Sequence, residues 1–176
     1  MKYLEALTES MTWLSHQPRT IFLGQNMMNK QSPHGKSLQF VSPDLIVDLP
    51  VAEEMQMGMT LGMALDGMIP ISIFPRWNFM LCAINQLVNH IDKIPLMGDF
   101  AATTIIRTAV GSDRPMHPQC QHTGDFTSGI KSMCSTIEVI ELHDVDDILP
   151  AYQHAYYRKD NKSTLLVEYG NFYQEK

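Results

Sequence analysis

The chain has 176 residues, 44% hydrophobic and 18% charged, with a formal net charge of −6. That is enough chain to bury a core, and the acidic balance, with Lys and Arg scattered, excludes a dedicated nucleic-acid binder, which carries a basic stripe. No stretch approaches the ~20 apolar residues of a membrane span. The opening MKYLEALTESMTWL is amphipathic and carries Glu5 and Glu9, which argues against a signal peptide. Cys82, Cys120 and Cys134 form no Cys-x-x-Cys pair, so free thiols in a reducing cytoplasm are expected.

In chain order, residues 3–15 place Leu4, Leu7, Met11 and Leu14 on one helical face. Residues 20–23 are a short apolar run ending at Gly24, the pattern of a strand feeding a turn, and 25–43 read as a polar loop. Residues 45–47 predict a second strand, 52–65 a helix with Gly67 as its C-terminal stop, and 70–74 a third strand. Asn78 is placed to cap a long helix reaching Lys93, and residues 103–106 predict a fourth strand. A loop rich in Gly, Pro, His and Gln follows. The remaining elements are a helix over 125–134, a strand over 137–142, a helix over 146–157 and a strand over 164–167.

Short apolar strands separated by helices predict an α/β fold: a three-layer sandwich around a doubly wound, mainly parallel sheet of about six strands. Ligands of such sheets sit beyond the carboxyl ends of the strands, which draws attention to residues 48–54, 74–79 and 107–125. The whole chain, 1–176, reads as one domain.

Glu53 and Glu54 stand at the first turn of the helix after the second strand, where acidic side chains complement the helix dipole. Glu54 fits that role. Glu53 precedes the uncharged segment 55–65, and a carboxylate in apolar surroundings would have a raised pKa suited to proton exchange with a ligand. Both readings of Glu53 stay open on pattern alone. Phe74-Pro-Arg-Trp-Asn-Phe79 is an aromatic strand-to-helix junction, either core and hinge or a stacking platform. His122 and His117 fall in the polar loop, where solvated histidines are the default, and without a second Cys/His pair they do not make a zinc site. Arg107 is expected to end a buried strand and pair with a carboxylate. Met55, Met57, Met59, Met63 and Met68 are expected to fill core gaps, and Gly58 and Gly62 to allow close helix packing.

Several of these segments together resemble one family. They are Asp48-Leu-Pro-Val-Ala-Glu-Glu54, then Gly58 and Gly62, then Pro70-Ile-Ser-Ile-Phe74, Asn78-Phe79, Ala83-Ile-Asn-Gln-Leu-Val-Asn89 and Gln121-His122-Thr123. The chain is similar to the pyrimidine-binding domain of transketolase-like thiamine diphosphate enzymes, above all to the beta subunit of the pyruvate/2-oxoacid dehydrogenase decarboxylating component. The resemblance implies that Glu53 hydrogen-bonds a pyrimidine ring nitrogen of thiamine diphosphate and activates the cofactor. It implies that Phe79 stacks on the pyrimidine, with Trp77 and Met57 also at the cofactor, and that His122 serves substrate binding or proton movement. The helix after Asn78 resembles one that packs across a subunit interface.

Departures bear on that reading. Asn85 stands where the family carries Asp, and Met55 replaces a small residue. No Gly-Asp-Gly motif with a downstream Asn is present for a diphosphate and Mg²⁺, and neither a diphosphate-binding nor a C-terminal transketolase domain is expected in this chain. The expectation is a split enzyme: a separate diphosphate-binding subunit holds Mg²⁺ and shares the cofactor, in a heterotetramer with self-association, in the cytoplasm, without nucleic acid or membrane. The substrate would be a 2-oxo acid or a ketose, and the reaction two-carbon transfer or decarboxylation. The alternative is a non-catalytic binding or regulatory module that keeps the fold.

Overall fold

A computed structural model describes residues 1–112 and 118–175; His117 lies outside the described residues. Six strands form one sheet: β1 (Thr20–Gln25), β2 (Ile46–Leu49), β3 (Ile69–Ile73), β4 (Ile105–Val110), β5 (Glu138–Glu141) and β6 (Thr164–Tyr169). Their order is β2-β1-β3-β4-β6-β5, and every neighbouring pair is parallel. The expected α/β/α sandwich is thus observed.

Side chains alternate across the strands and feed two cores. One core holds Phe22, Ile71, Ile105 and Leu166 beneath α1 (Tyr3–Ser15), α2 (Pro33–Ser37), α7 (Val145–Tyr157) and α8 (Phe172–Glu175). The other holds Ile106, Leu165 and Val167 beneath α3 (Glu53–Leu65), the helical stretch that begins at α4 (Trp77–Met80), and α6 (Thr127–Met133). On α1 the fully buried face is Tyr3, Leu7, Met11 and Leu14, with Leu4 only partly buried. Buried Gln56 pins α3 to β3 by donating from Nε2 to Ser72 Oγ at 3.1 Å and to the Ile73 carbonyl at 3.0 Å. Gly67, with φ +91°, ends α3 in a backbone conformation that side chains rarely adopt.

Several sequence expectations change. The 25–43 stretch contains α2, whose start is capped by Ser32 Oγ accepting from Gly35 N at 3.0 Å. The single long helix from Asn78 to Lys93 is broken into α4, a 3₁₀ turn (Leu81–Ala83), a π turn (Gln86–Ile91) and α5 (Ile94–Met97). Asn78 does not cap it: the N-cap is Arg76, and Asn78 sits inside the first turn. β4 runs later than expected, so Arg107 lies within the strand rather than at its end. Of the clustered methionines only Met57 is fully buried, while Met55 is 44% exposed. Gly58 does lie against Gln86, but Gly62 is exposed with nothing within 4 Å of an added Cβ, so the close packing expected there is absent among the described residues.

Candidate functional site

The carboxyl edge of the sheet gathers the residues singled out by sequence. β2 leads through Pro50–Ala52 into α3, whose first residue is Glu53. Glu53 is half-buried, not enclosed by apolar surface as the sequence led one to expect. It forms no hydrogen bond or ion pair among the described residues. Glu54 is used differently, accepting from Asn85 Nδ2 at 3.1 Å and Gln86 Nε2 at 3.5 Å, which ties the start of α3 to the helix after α4.

β3 ends at a junction held from below. Phe74 N donates to the Arg107 carbonyl at 2.8 Å, and Phe74 and Trp77 are fully buried. This fixes the first turn of α4 and leaves Phe79 half-buried at its surface. Phe79 meets His122 with ring centroids 5.2 Å apart at 41°. His122 belongs to a 3₁₀ turn (Cys120–His122) that follows β4, and its carbonyl accepts from Arg76 Nη1 at 3.3 Å. A Cβ at Gly111 would fall 1.8 Å from the His122 carbonyl oxygen, so only glycine lets the end of β4 come this close to the His122 turn.

The structure therefore brings Phe79 and His122 together and leaves Glu53 as a free carboxylate on the same edge. Strands β2 and β3 are two spacings apart, so their ends are separated by about 10 Å. Trp77 and Met57 have no exposed surface and lie together in the core under α3 and α4, so neither offers a face to a ligand in this chain. Two polar atoms at the site are buried without a partner among the described residues, Asn78 Oδ1 and His122 Nδ1. Buried groups left without hydrogen bonds are costly and mark places where a ligand or water completes the network. A half-buried aromatic ring, a free carboxylate and unsatisfied polar atoms on one edge are groups that could hold a flat, hydrogen-bonding ring.

Arg107 behaves as expected of a structural cation. It is fully buried, donates from Nε and Nη2 to Glu168, and from Nη1 to Ser37 Oγ at 2.8 Å. Tyr152 and Tyr173 also donate to Glu168, at 3.2 and 2.6 Å, and burial followed by the Glu168 charge raises both phenols well above their usual range. Sequence reading missed Glu168, because a lone Glu in a buried strand carries no local pattern.

In sequence and in architecture the chain resembles transketolase-like proteins. It is 30% identical over 104 residues to the mitochondrial pyruvate dehydrogenase E1 component subunit beta of Ascaris suum, covering 58% of this chain and 28% of that protein. Among solved structures it is similar to a split gene transketolase described as an inactive beta4 tetramer. That match has a TM-score of 0.69 at 14% identity and covers 93% of this chain and 49% of the other. The chain thus spans less than half the length of either relative. No family model matches it. Among the described residues no helix is long and apolar enough to cross a membrane.

Proposed function

We propose that this chain is the pyrimidine-binding subunit of a split thiamine diphosphate-dependent enzyme that acts on a 2-oxo acid or a ketose, by decarboxylation or two-carbon transfer. The observation that carries the reading is the Phe79–His122 pair and the free Glu53 carboxylate sharing the carboxyl edge of a parallel sheet. When bound, thiamine diphosphate supplies the electron sink for bond cleavage next to a carbonyl.

The chain's own residues do the rest. Glu53 would hold or release a proton at its carboxylate against a ring nitrogen of the pyrimidine, a role open to it because no protein cation neutralises it among the described residues. Phe79, half-buried and in contact with the imidazole of His122, would stack on the ring. His122 is placed to hold or move a proton at the substrate. Trp77 and Met57 have no exposed surface and belong to the core under α3 and α4, the elements that carry Glu53 and Phe79.

The diphosphate and Mg²⁺ are assigned to a separate subunit, in a heterotetramer. The solved structure that the chain resembles is itself described as a split gene transketolase, which supports that division. Copurification with a diphosphate-binding partner, followed by reconstitution, tests it. The mixture is expected to bind thiamine diphosphate and turn over, and neither chain to do so alone. Turnover by this chain alone would overturn the split assignment.

A further inference from the structure

A cavity of about 270 Å³ opens at the carboxyl ends of β4 and β6. It is walled by Pro75–Arg76, by 109–112, by Gly170 and α8, and by the start of α2. The lining is built rather than incidental. A Cβ at Gly170 would sit 2.9 Å from the Val110 carbonyl oxygen and 3.0 Å from Ser112 N, so the loops that follow β4 and β6 meet backbone to backbone. Among the described lining residues Arg76 is the one charged side chain, and no carboxylate accompanies it.

Two features give this cavity a ligand class. Arg76 is half-buried, spends Nη1 on the His122 carbonyl, and forms no ion pair among the described residues. His34, at 8% exposure, lines the same cavity, and its Nε2 is buried with no partner among the described residues. Burial, followed by the positive charge of Arg107, pushes the His34 imidazole down to about 4, with Glu168 opposing and Arg76 adding to the fall. The ring is therefore neutral at pH 7, one nitrogen carrying a proton to donate. Its backbone is fixed, since Ser37 Oγ donates to the His34 carbonyl at 2.7 Å while accepting from Arg107.

A guanidinium with free N–H groups beside a buried, unsatisfied imidazole favours an anion. The geometry points to Arg76 and His34 as the pair that receives the anionic group of the substrate, a carboxylate or a phosphate monoester, next to the Phe79–His122 site. Arg76 then does two things. It takes the anion on its free N–H groups and, through Nη1, holds the turn that carries His122, so seating the anion also steadies the His122 ring. This deepens the proposed function, and rests on it only in calling the anion part of the substrate.

The test is made on the full chain without partner or cofactor, so its outcome is independent of any result on Glu53. Imidazole resonances of isotope-labelled protein are followed during titration with pyruvate in one arm and inorganic phosphate in the other. The His34 signals are expected to shift saturably in at least one arm, and the tighter arm identifies carboxylate or phosphate as the group the pocket selects. Arg76→Met should weaken that binding at least tenfold. His34→Phe, read from the Gly111 and Gly170 amides, should weaken it similarly, and Arg19→Gln on the opposite edge should leave it unchanged. Arg76→Met folds whatever the fate of His34→Phe, because Arg76 is half-exposed and outside the core. Saturation in neither arm, or an unchanged affinity in Arg76→Met, would overturn the assignment.

Discussion

Two groups of polar residues lie along the same parallel sheet, and they differ in how their hydrogen-bonding capacity is used. Around Arg107 and Glu168 the donors and acceptors answer one another: a guanidinium, a carboxylate, two phenols and Ser37 Oγ, all packed between β4, β6, α2, α7 and α8. Around Glu53, Phe79 and His122 they do not. A carboxylate stands free, and Asn78 Oδ1 and His122 Nδ1 are buried without partners among the described residues. Buried charge is tolerable only when paired, so the first group holds the fold together. Unsatisfied polar atoms on an accessible edge are tolerable when something else completes them, which is the ground for proposing the second group as the ligand site.

The sharpest way to break this contrast is to unpair the closed group. Arg107→Met leaves Glu168 buried without its cation and should cost about 3–5 kcal/mol, read as a large fall in the urea midpoint. A loss as small as that of a surface substitution would show that the network is not structural.

Asp92 offers a second closed group of the same kind. Its side chain is fully buried and accepts from the backbone N–H of Ser135, Thr136 and Ile137 at 2.9, 2.7 and 3.1 Å. Burial alone would raise this carboxyl, but the Lys93 ammonium and those three N–H groups outweigh it and hold it well below the usual range. Because the folded value is depressed, the stabilisation is complete above the unfolded value of about 4 and is lost as pH falls below it. Asp92→Asn should therefore cost about 1–3 kcal/mol at pH 7, and the gap from the parent should narrow in unfolding curves taken below about pH 4. A gap that widened on acidification would contradict the role given to the charge.

The smallest effect concerns α3. Gly62 is exposed, mid-helix and untouched, so Gly62→Ala should stabilise the isolated chain by about 0.5–1 kcal/mol. Destabilisation of the isolated chain would mean that the added methyl meets something the structure does not show. If α3 also packs on a partner, the same methyl should weaken subunit association, which sedentary stability data would miss and analytical ultracentrifugation would register.

The fold was legible where local chemistry repeats. Short apolar strands between amphipathic helices give the parallel sandwich, and Gly67 marks the end of α3. The helix after β3 was misread because its apolar periodicity runs on without a break from α4 into the π turn. Nothing local shows where the hydrogen-bond spacing shifts. Arg107 was expected to pair with a carboxylate, yet Glu168, sixty-one residues away, could be identified only once β4 and β6 were side by side. The same holds for His34: a histidine in a polar stretch looks solvated until α2 folds it against α8. For the candidate site, the sequence singled out Glu53, Phe79 and His122, which the structure has on the carboxyl edge, but nothing local separates half-buried Phe79 from fully buried Trp77, since both belong to one aromatic run.

The central claim is that Glu53 is free because it has a chemical task. The direct measurement is hydrogen–deuterium exchange at the thiazolium carbon of thiamine diphosphate, bound to the chain reconstituted with its diphosphate-binding partner. Glu53→Gln should keep the fold, with a stability change within about 0.5 kcal/mol, and lose exchange by several orders of magnitude. Exchange as fast as in the parent, in a variant that still binds the cofactor, would contradict the account.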